Sequence, residues 1–386
     1  MLPFSTPEFF LLMGLFVGVM WVGKWAFKNL ISFSLLLTIL SALYIAIYFP
    51  RPMHFVVFFA YSYLVYYLFS FVLKTENKLW GILMLCWPMI TLKLNIKEGA
   101  FDLSELLGMA GLSYISFRTV SLYYDTLPEE KPINIITFFS FISFTPSLLI
   151  GPIDRMNRFK NDLKLGYDQL TLSRFYEGMQ ELIYGVFYTY VCAEVIDRYW
   201  LSTIDSTSTE FSAIVSNFYG YFIYLYFDFA GYSSMAIGVG KMMGVDLPIN
   251  FNKPFLAQNP QDFWRRFHKS LGDWLSDYFF KPLYKFLSQR KSLKKNPLLR
   301  QNIAMMATFT LMGCWNGFQL NFVLSGMLFG VYSVGHNSYI YQCKKQKKDV
   351  VFGDINEGVK KWISVILFLH LAAFSIYIFS GRAPFI

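Results

Sequence analysis

Charge is scarce in this chain. Asp, Glu, Lys and Arg make up 15% of its 386 residues, against 55% hydrophobic and 20% aromatic, and the mean hydropathy is +0.40. A soluble globule of this length carries nearer a quarter of its residues as charges, so this balance excludes one and points to a polytopic membrane protein. Cysteine is scarce too. Cys86, Cys192, Cys314 and Cys343 are far apart, which gives neither a disulfide framework nor metal-ligand spacing. They are expected to be small buried hydrophobes, and no metal and no cofactor is expected. Acidic residues number 25 against 34 basic ones, a net charge of +9. The positive charges gather in short loops, which implies orientation in a membrane and contact with anionic lipid, and excludes a nucleic-acid-binding role.

What is abundant is apolar run after apolar run. Residues 9–23, 30–49 and 53–73 are uncharged stretches that can cross about 30 Å of hydrocarbon as helices. Lys24, Lys28, Lys74 and Lys78 flank them on one side, with Glu8 and a lone Arg51 on the other. That asymmetry places the N-terminus outside the cytoplasm. The first run has neither a basic leader nor a small-residue cleavage site, so it is expected to be a retained span. Shorter or interrupted segments follow at 79–92 with Pro88, 106–124 with Arg118 and 133–150 with Pro146. Broken apolar helices are tolerated at membrane depth only where protein or a water-filled cavity surrounds them, which predicts a compact protein with an interior chamber. With further segments at 182–192, 211–227 and 362–379, the expectation is an all-α domain over residues 1–386 with roughly ten or eleven membrane segments. The last segment holds His370, expected to bridge helices.

Asp228 follows the 211–227 run directly and is either a helix-end cap or a chamber residue. The glycines that follow, in GYSSMAIGVG, have neither the preceding strand nor the GK[ST] ending of a nucleotide loop. Close packing between helices is the expected role.

Residues 250–284, NFNKPFLAQNPQDFWRRFHKSLGDWLSDYFFKPLY, carry most of the mid-chain charge and are not a span. On a helical wheel begun at Asp262, with about 100° per residue, one arc holds Asp262, Arg265, Arg266, Lys269, Ser270, Asp273, Ser276 and Asp277. Phe263, Trp264, Phe267, Leu271, Trp274, Leu275, Tyr278 and Phe279 fill the other. His268 falls on the apolar arc, where an imidazole is either a hydrogen-bonded interior residue of an interfacial helix or the wall of a reaction chamber. Arg265, Arg266 and Lys269 are expected to face solvent or headgroups, and would suit an acidic partner surface.

Two basic clusters, Arg290, Lys291, Lys294, Lys295 and Arg300, then Lys344, Lys345, Lys347 and Lys348, are both expected in the cytoplasm. The chain between them must leave and return, with residues 303–315 rising and 322–334 descending. A rise of about 1.5 Å per residue gives the first arm roughly 20 Å and leaves Trp315-Asn316-Gly317 inside the bilayer.

Residues 227–284 combine FDFAGYSSMAIGVGKMMGVDLPINFNKPF with DFWRRFHKSLGDWLSDYFFKPL, and in that order they resemble the central signature of the membrane-bound O-acyltransferase family. Gly151-Pro152-Ile153-Asp154-Arg155, preceded by Phe144-Thr145-Pro146, is similar to the branch that transfers D-alanyl groups to cell-envelope polymers. The ending Ile378-Phe379-Ser380-Gly381 agrees. The resemblance implies a ring of membrane helices around a central funnel. It also implies an acyl group taken from a thioester on a cytoplasmic acyl carrier protein and delivered to an acceptor hydroxyl of an extracytoplasmic polymer, teichoic acid for that branch. Two histidines meet at such a centre. One matches His268; where the other stands in a Trp-His-Gly triplet, this chain has Asn316, and a more variable third histidine corresponds to Phe329.

Acyl transfer to a hydroxyl needs a base for the hydroxyl proton and donors for the oxyanion. His268 is the expected base and Asn316, which has no basic nitrogen, the expected hydrogen-bond donor to the acyl carbonyl. Trp264, Trp315 and Asp228 are the expected substrate contacts. Two alternatives stand beside this: His336 as the substitute base, and a non-catalytic member that binds a carrier or an envelope partner. A solute transporter is disfavoured, because there is neither an inverted repeat of broken helices nor a spread of intramembrane carboxylates. Asp154 and Arg155 are expected to form a structural ion pair.

Overall fold

The computed structural model describes residues 4–49, 51–74, 78–94, 111–127, 129–205, 208–347 and 355–383. Among them there are helices and turns and no strand. The expected positions 106–110 and Lys348 lie outside the described residues. Among the described residues three helical stretches are long and apolar enough to cross a membrane: Pro7–Ala26, Pro52–Val72 and Glu357–Phe379; Phe33–Tyr48 and Leu79–Thr91 are apolar but shorter. The other expected crossings do not meet that test by length and composition alone. The chain forms two compact units, Met1–Phe187 with Gly231–Ile249, and Tyr188–Ala230 with Asn250–Ile386.

The first unit contains α1 (Pro7–Val22), α2 (Phe33–Tyr48), α3 (Pro52–Tyr67), α4 (Leu79–Lys93), α5 (Leu112–Asp125), α6 (Ile135–Ile142), α7 (Met156–Leu165) and α8 (Leu172–Phe187). Its fixed point is Arg118 on α5, completely buried. The guanidinium donates to the carbonyls of Phe141 and Ile142 at 3.2 Å, to Ser147 Oγ at 2.7 Å and to the Ser147 carbonyl. It thereby satisfies the end of α6 and the turn at Thr145–Ser147 where Pro146 stops the helix. Lys78 does the same for α5, donating to the carbonyls of Tyr124 at 2.5 Å and Thr126 at 2.8 Å. Asp154 pairs with Arg158, one helical turn on, at 2.5 Å and takes the backbone N–H of Arg155 at 2.6 Å. Cys343 is buried while Cys86, Cys192 and Cys314 are half-buried; all four are free thiols.

A 32-residue helix, α10 (Phe211–Met242), follows the short α9 (Glu194–Tyr199). Its glycine-rich end lies in the first unit against α8. A Cβ on Gly178 would stand 2.6 Å from the Gly238 carbonyl, and one on Gly185 2.6 Å from that of Gly231. No side chain fits there, so the glycines serve backbone-to-backbone packing as expected. Asp228 sits inside this helix, half-buried. The helix-end-cap alternative is thereby overturned, because the chain does not leave the helix until Met242.

The second unit holds the remainder of α10, then α11 (Pro260–Trp264), α12 (Lys269–Leu275), α13 (Lys281–Ser288), α14 (Pro297–Asn316), α15 (Leu320–Gln346) and α16 (Glu357–Phe379). Its core is aromatic: Phe222, Phe263, Phe267, Phe329 and Phe368 are buried with Ala257, Ala372, Ala373 and Ile376. The helices α14 and α15 form a tight hairpin. A Cβ on Gly313 would lie 2.4 Å from the Phe322 carbonyl, and one on Gly326 2.4 Å from that of Phe309. The break falls at Asn316-Gly317 as predicted. The rising helix begins earlier than predicted, at Pro297 with the Asn296 side chain as cap, and runs 20 residues. That is about 30 Å rather than about 20 Å, so length no longer holds Asn316 at mid-membrane. His370 is exposed; its Nδ1 meets the Ile366 carbonyl of its own helix at 2.6 Å, and it touches a second helix through its ring, which lies edge to face with Tyr219 of α10 at 5.7 Å.

Candidate active site

The predicted continuous helix through His268 is broken there. The Asn259 side chain accepts the Asp262 N–H at 2.9 Å and starts α11, with Pro260 at its first position. The helix ends after one turn. His268 takes up φ 50°, ψ 47°, a left-handed conformation that a residue with a Cβ holds only when its surroundings enforce it. The enforcement comes from the preceding extended segment. Asn252 donates its N–H to the Arg266 carbonyl, and Lys269 its N–H to the Asn250 carbonyl, both at 2.8 Å. These bonds take backbone groups that a continuous helix would have used internally, and α12 restarts with the His268 carbonyl accepting from Leu271 and Gly272 at 3.1 Å. Gly272 is required here, since a Cβ would stand 2.8 Å from the Trp264 carbonyl.

The wheel nonetheless sorted most side chains correctly. Phe263, Phe267, Leu271, Trp274, Leu275 and Tyr278 are buried; Asp262 pairs with Arg266 at 2.8 Å, and Lys269 with Asp273 at 2.5 Å. Ser270 departs from its arc and is buried.

His268 is 9% exposed. Its Nδ1 lies 3.0 Å from Asn250 Oδ1, and its ring meets that of Phe229 edge to face at 4.7 Å and 84°. The same Asn250 oxygen accepts the Ser270 N–H at 3.2 Å and the Ser270 hydroxyl at 2.8 Å. This elbow is too short to span a membrane, and burial pushes the imidazole down to about 3, which keeps the ring neutral at physiological pH. Asn250, completely buried, is the residue that sequence reasoning passed over. A lone amide in the apolar run Leu247 to Phe251 was the available signal.

Beside the elbow is a cavity of about 600 Å³ walled by Trp264, Arg265, Thr308, Met312, His336 and Asn337, among others. Trp264 packs edge-on to Phe329 at 4.9 Å; among the described residues its buried Nε1 has no acceptor and Oε1 of Gln261, also on the wall, has no donor. An orphaned donor and an orphaned acceptor on one cavity wall suit a polar occupant. Of the predicted residues, Trp264 reaches this wall. Asn316 is exposed one turn beyond Met312 and donates to the Met312 carbonyl at 3.3 Å. Trp315 beside it is half-buried. Asp228 is on α10, its carbonyl accepting from Thr189 Oγ1 at 3.4 Å. His268 and Asn316 are not hydrogen-bonded to each other, and neither is on the cavity wall. His336, kept only as the substitute base, is on it.

The model of the membrane-bound O-acyltransferase family matches residues 22–376. The chain is 32% identical over 290 residues to the teichoic acid D-alanyltransferase of Bacillus subtilis (strain 168), covering 73% of this chain and 70% of that protein. It is 26% identical over 411 aligned positions to the teichoic acid D-alanyltransferase of Streptococcus thermophilus, covering 98% and 95%. To the peptidoglycan O-acetyltransferase of Helicobacter pylori it is 28% identical, covering 72% and 55%. With a family match across almost its whole length and the apolar helices described above, the chain belongs to the membrane-bound O-acyltransferase family as a polytopic membrane enzyme.

Proposed function

We propose that this protein moves an acyl group, D-alanyl by its relatives, from a thioester on a cytoplasmic acyl carrier protein to a hydroxyl of an extracytoplasmic envelope polymer of the teichoic acid type. The single observation carrying the site assignment is His268: buried, neutral, held in a left-handed elbow and hydrogen-bonded through one ring nitrogen only among the described residues. In this reading the imidazole takes the proton as the acceptor oxygen attacks the thioester carbon. The tetrahedral intermediate then collapses, the carbon–sulfur bond breaks, and the proton passes to the leaving thiolate. Asn316 supplies a hydrogen bond to the oxyanion, Trp264 and Trp315 contact the acyl donor, and Asp228 contacts the acceptor. The N-terminus lies outside the cytoplasm, supported by the Lys24, Lys28, Lys74 and Lys78 bias.

A second assignment, with His336 as the base, is favoured by one observation, its place on the cavity wall. The test is carrier-dependent acylation of envelope polymer in cells bearing wild type, His268→Ala, His336→Ala and Asn316→His. Loss of the base lowers the rate about 10²- to 10⁴-fold. Full activity in His268→Ala, with loss in His336→Ala, would transfer the role to His336. Activity in Asn316→His above wild type would identify position 316 as a site where the base function had been given up.

A further inference from the structure

The histidine elbow carries information about which of its ring nitrogens does the chemistry. We propose that Asn250 is the positioning residue of the site, holding the proton on His268 Nδ1 so that Nε2 presents its lone pair to the acceptor hydroxyl. This rests on His268 being the base.

The argument begins with the amide orientation, which in an asparagine is ordinarily ambiguous. Here the backbone N–H of Ser270 points at the amide atom 3.2 Å away, and a backbone N–H can only donate. The atom it meets is therefore the oxygen, Oδ1. The same atom lies 3.0 Å from His268 Nδ1. An amide oxygen carries no proton, so the hydrogen bond exists only if Nδ1 supplies one. A neutral imidazole has a single N–H, which leaves Nε2 as the basic atom.

Asn250 is itself held rigidly. Its side chain is completely buried and its carbonyl accepts the Lys269 N–H at 2.8 Å. The residue two positions later, Asn252, is tied to the Arg266 carbonyl at 2.8 Å. The two backbone bonds bracket the left-handed residue on either side, and the Phe229 ring packs perpendicular to its ring at 4.7 Å. Tautomer and ring plane are thus fixed by a group 18 residues away that need not touch substrate.

An amide suits the task better than a carboxylate would. A carboxylate at this distance would stabilise the imidazolium and raise the pH at which the base becomes protonated. The uncharged oxygen fixes the tautomer without that effect.

The experiment is ¹⁵N NMR of the full-length protein, labelled at its four histidines and reconstituted in lipid bilayers, with His268 identified by the signal lost in His268→Gln. In wild type, Nδ1 is expected at a pyrrole-type shift and Nε2 at a pyridine-type shift. Asn250→Ala is expected to move His268 away from that tautomer and to lower kcat about 10²-fold, with KM for the carrier unchanged. Asn250→Asp keeps the acceptor and the tautomer. It raises the pH at which the His268 signal titrates and brings an acid limb into the rate profile. A proton on Nε2 in wild type overturns the proposal, as does an unaltered tautomer in folded Asn250→Ala. Should Asn250→Ala not fold, Asn250→Asp decides: wild-type titration of His268 in that variant overturns it equally. If the tautomer is as expected but His268→Ala transfers acyl groups at the full rate, the base assignment has failed. Asn250's catalytic role then falls with it, and only the hydrogen bond stands.

Discussion

Truncating Phe329 to alanine probes the packing that supports the elbow. The ring is 1% exposed. It lies parallel to Phe263 at 5.7 Å and 10°, edge-on to Trp264 at 4.9 Å and 79°, and near Phe309 and Tyr332 at 6.4 and 6.3 Å. Removing a buried phenylalanine costs about 3–5 kcal/mol through lost contacts and the cavity left behind. Each well-placed ring pair contributes about 0.5–1.5 kcal/mol of that beyond its area. In a membrane the reference state is lipid rather than water, so the transfer part shrinks and the packing and cavity parts remain. The expected loss is therefore near the lower end, about 3 kcal/mol. For a cooperative unit of about 150–250 residues this lowers Tm by about 6–12 °C. Phe263 also stacks on Phe267 at 5.0 Å and 14°, and Phe267 is the residue before His268. The acyl-transfer rate measured below the new Tm should therefore fall as well. Phe329→His puts an N–H among aromatic faces and is expected to be destabilising by about 1–3 kcal/mol. Thermal unfolding of the purified protein in detergent, followed by tryptophan fluorescence, reads both variants. A Tm for Phe329→Ala within about 1 °C of wild type would refute the ring stack as a structural support.

Gly326→Leu places a side chain where 2.4 Å separates an ideal Cβ from the Phe309 carbonyl; overpacking by about 1–3 kcal/mol should separate the α14–α15 hairpin and be seen as a lowered Tm. Arg118→Met strips the donor from the buried Phe141, Ile142 and Ser147 acceptors. The loss of about 3–5 kcal/mol should appear as reduced protease resistance and low abundance in membranes. The last prediction concerns pH. Because burial lowers the His268 pKa to about 3, the neutral base persists above that value. Asn250 and Phe229, both uncharged, meet its ring. Transfer by wild type should therefore show no acid limb near 6.5, the ordinary imidazole value, when assayed between about pH 5 and 8. A half-maximal rate near 6.5 would contradict the buried, uncharged setting.

Local chemistry carried much of the architecture. Sparse charge and repeated apolar runs dictate a membrane protein, since their burial against lipid needs no partner elsewhere in the chain. Asn316-Gly317 ends a helix where a glycine follows the last apolar turn, and Gly231 and Gly238 recur seven residues apart on one helix face, which alone permits close backbone approach. The apolar and polar arcs around residue 268 were legible for the same reason: the side chains still sort by burial after the helix has broken. The break itself was not legible. Helical periodicity describes what a segment does with its own hydrogen bonds, and at His268 those bonds are taken by Asn250 and Asn252 from outside it. The place of His336 on a cavity wall and the burial of Ser270 share that origin. Each depends on which distant group arrives to satisfy a donor or fill a space, and only the packed chain decides that.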